Sequence, residues 1–122
     1  MNSEEKKAHL LLKSVIFHYH GLDEDEKKIL EETASEIDGK EELVWTTEFI
    51  AQDFTSAFDR AFTFLNNTIG KMSKEKRLSY LDMVWKANNN KGYITELEAT
   101  AMLKLAKEWQ IENELISMVR QS

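Results

Sequence analysis

Two stretches of this chain resemble each other: residues 22–44 read LDEDEKKILEETASEIDGKEELV, and residues 94–116 read ITELEATAMLKLAKEWQIENELI. A shift of 72 residues aligns the two copies without a gap. The identical pairs are Glu24/Glu96, Glu26/Glu98, Ala34/Ala106, Glu36/Glu108, Glu42/Glu114 and Leu43/Leu115. Apolar character is kept at Leu22/Ile94, Leu30/Met102, Ile37/Trp109 and Val44/Ile116. The pattern predicts a duplicated structural unit.

Each copy begins with the signature of a helix start. Asp23 and Glu26 in the first copy, and Thr95 and Glu98 in the second, have the spacing of a reciprocal capping box. Apolar residues then recur at helical spacing, and a glycine lies shortly before each start. One helix–Gly–helix unit would leave its apolar stripe exposed to water, so we expect two units to pack together.

Helical periodicity extends beyond both copies. Residues 8–19 carry apolar side chains at helical spacing, which predicts an N-terminal helix that ends at Gly21. Residues 40–70 are expected to form connecting helices whose phenylalanines fill the seam between the units. The expected inward residues of the first connecting helix are Leu43, Val44, Thr47, Ile50 and Ala51. The prediction is an all-α fold in one domain, residues 1–122: a compact bundle of about seven helices with two pseudo-symmetric units joined by middle helices.

The composition excludes several classes of function. The 122 residues include no cysteine and no proline, so disulfides, thiolate catalysis and cysteine–zinc sites are excluded. The most apolar N-terminal run, Leu10 to Leu12, stops at Lys13 and is too short to span a bilayer. No small-residue cleavage site follows it. We therefore expect a cytoplasmic protein with no membrane partner.

The negative charge is concentrated in one segment. The chain has a formal net charge of −6, and residues 23–42 contain ten acids against three lysines, a net −7. Nucleic acid would be repelled by this segment, and no basic stripe compensates for it elsewhere. A basic protein partner would instead be attracted. The candidate partner-binding residues are Glu31, Glu32 and Glu36, and the sequence leaves the oligomeric state open.

The first junction between helices also suggests a cation site. His20, Asp23 and Glu26 could offer one nitrogen and two carboxylates to a divalent metal. The alternative is a solvated helix end, because acids at a helix start and a histidine near the preceding helix end both favour the macrodipole. A divalent cation is the only cofactor that the sequence suggests.

The second junction resembles the back half of a calcium-binding loop, with Glu98 at the twelfth position. Ala87 and Lys91 would then occupy positions one and five, and neither supplies the oxygen ligand that calcium needs. The interpretation we favour is that Glu98 is the partner of Thr95 in the capping box.

No catalytic constellation is evident, and we expect no enzyme activity. His9, His18 and His20 have no recognisable nucleophile partner, and no Gly-rich phosphate loop is present. A hydrolase built on an unrecognised carboxylate site is a third alternative, which a deep pocket lined by acids would favour.

The two junctions together resemble the TerB-like proteins, a family named for a tellurite-resistance component. That family carries an Ala-Asp-Gly-x-Ile-(Ser/Asp)-x-x-Glu motif in both halves of an all-helical fold. The halves read HGLDEDE at residues 20–26 and KGYITELE at residues 91–98, and the segment LKLAKEWQI at residues 103–111 resembles the approach to the family's last helix. The resemblance implies a non-enzymatic protein that acts by protein contacts in a stress or tellurite-resistance response.

The chain departs from the family pattern before each glycine. The family's aspartates there belong to its proposed metal sites, whereas this chain has His20 and Lys91 at those positions. Gln110 stands where glycine is common near the start of the last helix. The departures weaken the expectation of a metal and leave the helix-capping residues intact.

Overall fold

The computed structural model describes residues 1–17, 24–90 and 94–121. The α-helices in these ranges are α1 (Ser3–Phe17), α2 (Glu24–Glu36), α3 (Lys40–Ala51), α4 (Ala57–Asn67), α5 (Lys74–Asn90), α6 (Glu96–Glu108) and α7 (Glu112–Gln121). A short 3₁₀ turn, Ile69–Lys71, joins α4 to α5. The described ranges contain no β-strand. The predicted all-α class and helix number are confirmed.

Helix α1 is the centre of the bundle and contacts α2, α3, α4, α5 and α6. Its buried apolar residues are Ala8, Leu10, Leu11, Leu12, Val15 and Ile16. From Ala8 onward the structure buries this helix on nearly every side, and its predicted end at Gly21 lies outside the described residues. Each fully buried leucine contributes about 1.5–3 kcal/mol relative to an exposed one, so α1 is the main source of apolar stabilisation.

Helices α2 and α6 end in the same way. Asp38 after α2 has φ 55°, and Gln110 after α6 has φ 61°, both in the left-handed region. The following amides, of Gly39 and Ile111, donate to the carbonyls of Ala34 (2.7 Å) and Ala106 (2.8 Å). This is the hydrogen bond of a Schellman cap, which turns the chain into the next helix.

Gly39 has a role different from the one that its position suggests. The left-handed residue is Asp38, while Gly39 has φ −120°. A Cβ added at Gly39 would lie 3.1 Å from Cγ1 of Ile37 and 3.4 Å from Cδ1 of Leu10. Any other residue here would push the Ile37 and Leu10 side chains away by a few tenths of an ångström, so glycine suits the close approach of the α2–α3 turn to α1.

The expected inward face of α3 is wrong in part. Ile50 is buried as expected and Leu43 is half-buried, but Val44, Thr47 and Ala51 are exposed, and Glu42 and Thr46 are buried instead. The Ser3 hydroxyl donates to Oε2 of Glu42 at 2.6 Å, and the Thr46 hydroxyl donates to the Glu42 carbonyl at 2.8 Å. Because the first turn of α1 supplies a polar partner, α3 turns this polar row inward.

The expected phenylalanine seam is also corrected. In α4 and the turn after it, the fully packed residues are Ala57, Ala61, Leu65 and Ile69. Phe58 and Phe62 are half-buried at the edge of the core, and Phe54 is 68% exposed. Small alanines allow α4 to lie close to α1, which leaves no room for phenylalanine rings between them.

Candidate functional site

The predicted partner-binding residues lie together on the outside of α2. Glu31, Glu32 and Glu36 are all exposed, whereas Leu30, Thr33 and Ala34 on the same helix are buried. Glu32 and Glu36 are four residues apart and therefore adjacent on the helix surface. We call Glu31, Glu32 and Glu36 the acidic surface.

The acidic surface forms no close ion pair within the described ranges, and Lys13 is the cation whose charge acts on it, through Glu36. None of its three carboxylates forms an ion pair there. The nearest ion pair along the chain joins Lys27 and Glu24 at 3.6 Å. It lies about one helical turn before Glu31, and both of its side chains are exposed. Neighbouring like charges on one helix are mutually repulsive, so a basic ligand would relieve that repulsion.

A cleft adjoins the acidic surface between α1, α2 and α5. It encloses about 470 Å³, and Glu32 and Glu36 form part of its wall. Asp82 and Lys86 of α5 form the opposite wall and pair with each other at 2.9 Å. The acidic surface is therefore continuous with a concave polar site.

Lys13 lies at the base of this cleft. It is 8% exposed, and its Nζ donates to Oγ1 of Thr33 at 2.8 Å. The Thr33 hydroxyl in turn donates to the Ile29 carbonyl at 2.8 Å. Burial lowers the pKa of Lys13, and the nearby carboxylate of Glu36 partly opposes that shift. The ammonium therefore attracts Glu36 toward the cleft and fixes the position of Thr33.

Burial of Lys13 was not predicted from the sequence, where this residue only marked the end of an apolar run. The signal that could have revealed it is its place among six apolar residues between positions 8 and 16. A helix with apolar residues on all sides is buried on all sides, and a lysine within it needs a buried acceptor.

A second polar cluster continues along the same side of α1. The Tyr80 hydroxyl donates to Oε1 of Glu5 at 3.1 Å, and Lys76 lies 3.7 Å from the same oxygen. The His9 ring packs edge-on against Tyr80 with ring centroids 5.6 Å apart. These contacts join α1 to α5 next to the cleft, and a small hollow of about 230 Å³ opens between them.

The acid–base properties of this cluster follow from its burial. Burial, reinforced by the charge of Lys13, lowers the pKa of His9 to about 4, so the ring is neutral at pH 7. Nδ1 of His9 is buried without a hydrogen-bond partner. Burial next to Glu5 raises the pKa of Tyr80 well above its usual value, so its hydroxyl stays protonated. A neutral histidine and a protonated tyrosine here act as packing and hydrogen-bonding groups between the two helices.

The predicted cation ligands are only partly described. Of His20, Asp23 and Glu26, the first two lie outside the described residues. Glu26 lies in the first turn of α2 and is 0% exposed. Within residues 1–17, 24–90 and 94–121, no three His, Asp or Glu side chains are grouped so that they could hold a metal ion.

The capping box predicted at the second junction is confirmed. The Glu98 amide donates to Oγ1 of Thr95 at 3.1 Å, and the Thr95 amide donates to Oε1 of Glu98 at 2.9 Å. Glu98 is fully buried in this arrangement. Its carboxylate is therefore held by the helix start, as the capping interpretation requires.

The comparisons with known proteins give no family assignment. No protein-family model matches the chain, and no curated protein or solved structure is detectably similar to it. The TerB-like resemblance stays a prediction that rests on the two junctions. In the part of the chain that the structure describes, no helix has the length and apolar character needed to cross a membrane.

Proposed function

We propose that this chain is a non-enzymatic, TerB-like helical protein that binds a basic protein partner through its acidic surface, in a stress or tellurite-resistance type of response. The observation that carries the proposal is the set of three exposed carboxylates, Glu31, Glu32 and Glu36, without an ion pair in the described ranges. Exposed unpaired charges of one sign favour binding of an oppositely charged partner.

The cleft suggests how such a partner would be recognised. A lysine or arginine that enters between α2 and α5 would meet Glu32 and Glu36 on one wall, whereas Asp82 on the other wall is already paired with Lys86. Arginine suits this position better, because its planar guanidinium bonds carboxylates in pairs. A basic helix with cations four residues apart would match the spacing of Glu32 and Glu36.

The proposal of a duplicated, pseudo-symmetric unit is supported locally by the two Schellman caps. The left-handed residues Asp38 and Gln110 are 72 residues apart, the same shift that aligns the two sequence copies. In the proposed TerB-like arrangement, the second unit supplies core and the first unit supplies the docking surface.

A charge-matched comparison tests the docking surface. The probe is a synthetic amphipathic helix with arginines four residues apart, titrated by calorimetry at low and at physiological salt. The variant Glu31→Lys/Glu32→Lys/Glu36→Lys should weaken binding at least tenfold and should flatten the salt dependence. The control Asp59→Lys/Glu75→Lys/Glu108→Lys changes the net charge equally at exposed positions elsewhere and should keep most of the affinity. Equal losses in the two variants, or affinity insensitive to salt, would contradict the proposal.

The alternative function is divalent-cation binding at the first junction. Titration of calcium, zinc and manganese into the same protein distinguishes it from docking of a basic partner. Saturable heat that His20→Ala and Asp23→Ala abolish, with a rise in melting temperature, would favour a cation site. Absence of both signals would leave the docking function as the better account.

A further inference from the structure

An apolar cavity opens between α5, α6 and α7, away from the residues that form the acidic surface. It encloses about 270 Å³. Its wall includes Trp85 from α5, Met102 from α6, and Leu115 and Ile116 from α7. Met102 and Leu115 are buried and form its base, whereas Leu103 at its edge is 42% exposed. The cavity is therefore an apolar hollow that reaches the surface.

Among the described residues that line this cavity, Arg120 is the one that carries a charge. It is exposed, and it forms no hydrogen bond or ion pair with any residue in the described ranges. A guanidinium stays charged at every physiological pH and bonds carboxylates in a bidentate geometry. The guanidinium of Arg120 thus lies beside the apolar floor of the cavity. This arrangement is complementary to a ligand that has an anionic group attached to a hydrocarbon chain.

We propose that this cavity binds a free medium-chain carboxylate, with the hydrocarbon chain against Met102 and Leu115 and the carboxylate on Arg120. The size agrees with this class of ligand. A dry cavity of about 150 Å³ holds the six carbons of benzene, so this one accommodates roughly eight to ten carbons. Apart from the Arg120 guanidinium and the Trp85 indole, the described residues that line the cavity have apolar side chains, which suits a hydrocarbon chain better than a polar ligand. The inference is independent of the basic partner proposed for the acidic surface.

Titration with decanoate, below its micelle concentration, tests the inference directly. Calorimetry should show saturable binding of one decanoate per chain. Octanoate should bind roughly tenfold more weakly, because it buries two fewer methylene groups. Methyl chemical-shift changes should be confined to residues of α5, α6 and α7. Absence of saturable heat, or shift changes confined to α2, would overturn the proposal.

Matched variants distinguish binding of the ligand's carboxylate from binding of its hydrocarbon part. Arg120→Gln should weaken decanoate about two- to fivefold and should leave the neutral analogue decanol unchanged. Lys107→Gln removes another exposed cation, near the end of α6 and outside the lining, and should change neither affinity. Equal effects of Arg120→Gln on decanoate and decanol would overturn the role of the guanidinium.

Filling the cavity should abolish binding of both ligands. Ala99 is half-buried in the lining, and Ala99→Leu places a larger side chain in the space that the hydrocarbon would occupy. Ser117→Leu, an exposed change on α7 outside the lining, is the control. If Ala99→Leu does not fold, Ile116→Phe serves the same purpose. Undiminished decanoate binding in a folded filled variant would overturn the site, and binding to vesicles of anionic lipid but not to free decanoate would overturn the ligand class.

Discussion

Helices α2 and α6 end with equivalent hydrogen bonds, but the residues that they expose to solvent differ in charge and polarity. Glu31, Glu32 and Glu36 are exposed on α2, and the residues 72 positions later on α6 are Leu103, Lys104 and Glu108, all exposed as well. Glu36 and Glu108 keep the charge, while the other two positions change from acid to leucine and lysine. Substitutions at exposed positions usually change the free energy of unfolding little, so the side chains at these positions can differ between the two helices without loss of the shared fold.

The buried positions of the two helices show a second contrast. Thr33 on α2 and Leu105 on α6 are equivalent in the alignment, and both are buried. Thr33 accepts the hydrogen bond from Lys13, whereas Leu105 belongs to the apolar core. At this position the contact of α2 with α1 is a polar one, whereas α6 contributes an apolar side chain to the core. The following predictions test this difference.

The largest effect is expected from the aromatic residue at the end of α6. Trp109 is buried, and its Nε1 donates to Oδ1 of Asn66 at 2.7 Å. Trp109→Ala should lower the free energy of unfolding by about 3–5 kcal/mol. Ile37→Ala, the half-buried equivalent after α2, should cost about 1–2 kcal/mol because less apolar surface is lost. Urea denaturation measures both, and equal costs would remove the contrast between the two helices.

A smaller but diagnostic effect is expected at Thr33. Thr33→Val removes the acceptor of a buried ammonium and should cost about 1–3 kcal/mol. Thr47→Val makes the same chemical change at an exposed hydroxyl that also donates to its own helix, and should cost below about 0.5 kcal/mol. Adding Lys13→Met to Thr33→Val should recover most of the loss. A double variant as unstable as the sum of the two single variants would show that the pair is not coupled.

The polar side of the bundle should also be sensitive to acid. The pKa of His9 is about 4 in the folded protein and 6.5 in an unfolded chain. Between these values the unfolded chain binds more protons, so stability should fall as the pH falls from 6.5 to 4. The share of His9 should be about 1–2 kcal/mol after allowance for its partial exposure.

The contribution of His9 to this pH-dependent loss of stability is measured as the difference between the wild type and a variant that lacks His9. Urea denaturation of the wild type and of His9→Phe at pH 7, 5.5 and 4.5 cancels the contributions of His18 and His20. The phenylalanine keeps a ring against Tyr80 and does not titrate. Parallel loss of stability in both proteins over this range would show that His9 is not the group responsible.

The smallest effect is expected at the start of α6. Thr95→Ala removes one half of the capping box and should cost about 1 kcal/mol. Thr100→Ala, on the exposed side of the same helix, should be nearly neutral, because its hydroxyl bonds only its own helix. Thermal denaturation compares the two, and equal melting temperatures would contradict the contribution of the cap.

The features that could be predicted from the sequence are those that neighbouring residues determine. The Thr95–Glu98 cap and the helical class depend on residues a few positions apart, and both are present. The exposure of Glu31, Glu32 and Glu36 followed from charge density in the same way. Their partner-binding role and the cation ligands His20, Asp23 and Glu26 stay predictions.

Features set by distant residues could not be predicted. Glu42 faces inward because Ser3 lies opposite, and the buried Lys13 donates a hydrogen bond to Thr33 across a helix interface. The cavity beside Arg120 exists only where α5, α6 and α7 meet. No periodicity within one helix contains this information.

The amino-acid sequence alone determined that the chain is helical, where α6 begins and which segment is acidic, because capping, propensity and charge act over a few residues. Only the tertiary structure decided which polar residues are buried and which surfaces are concave. Those outcomes depend on close packing between segments far apart in the chain, where one hydroxyl or one glycine fixes how neighbouring helices fit.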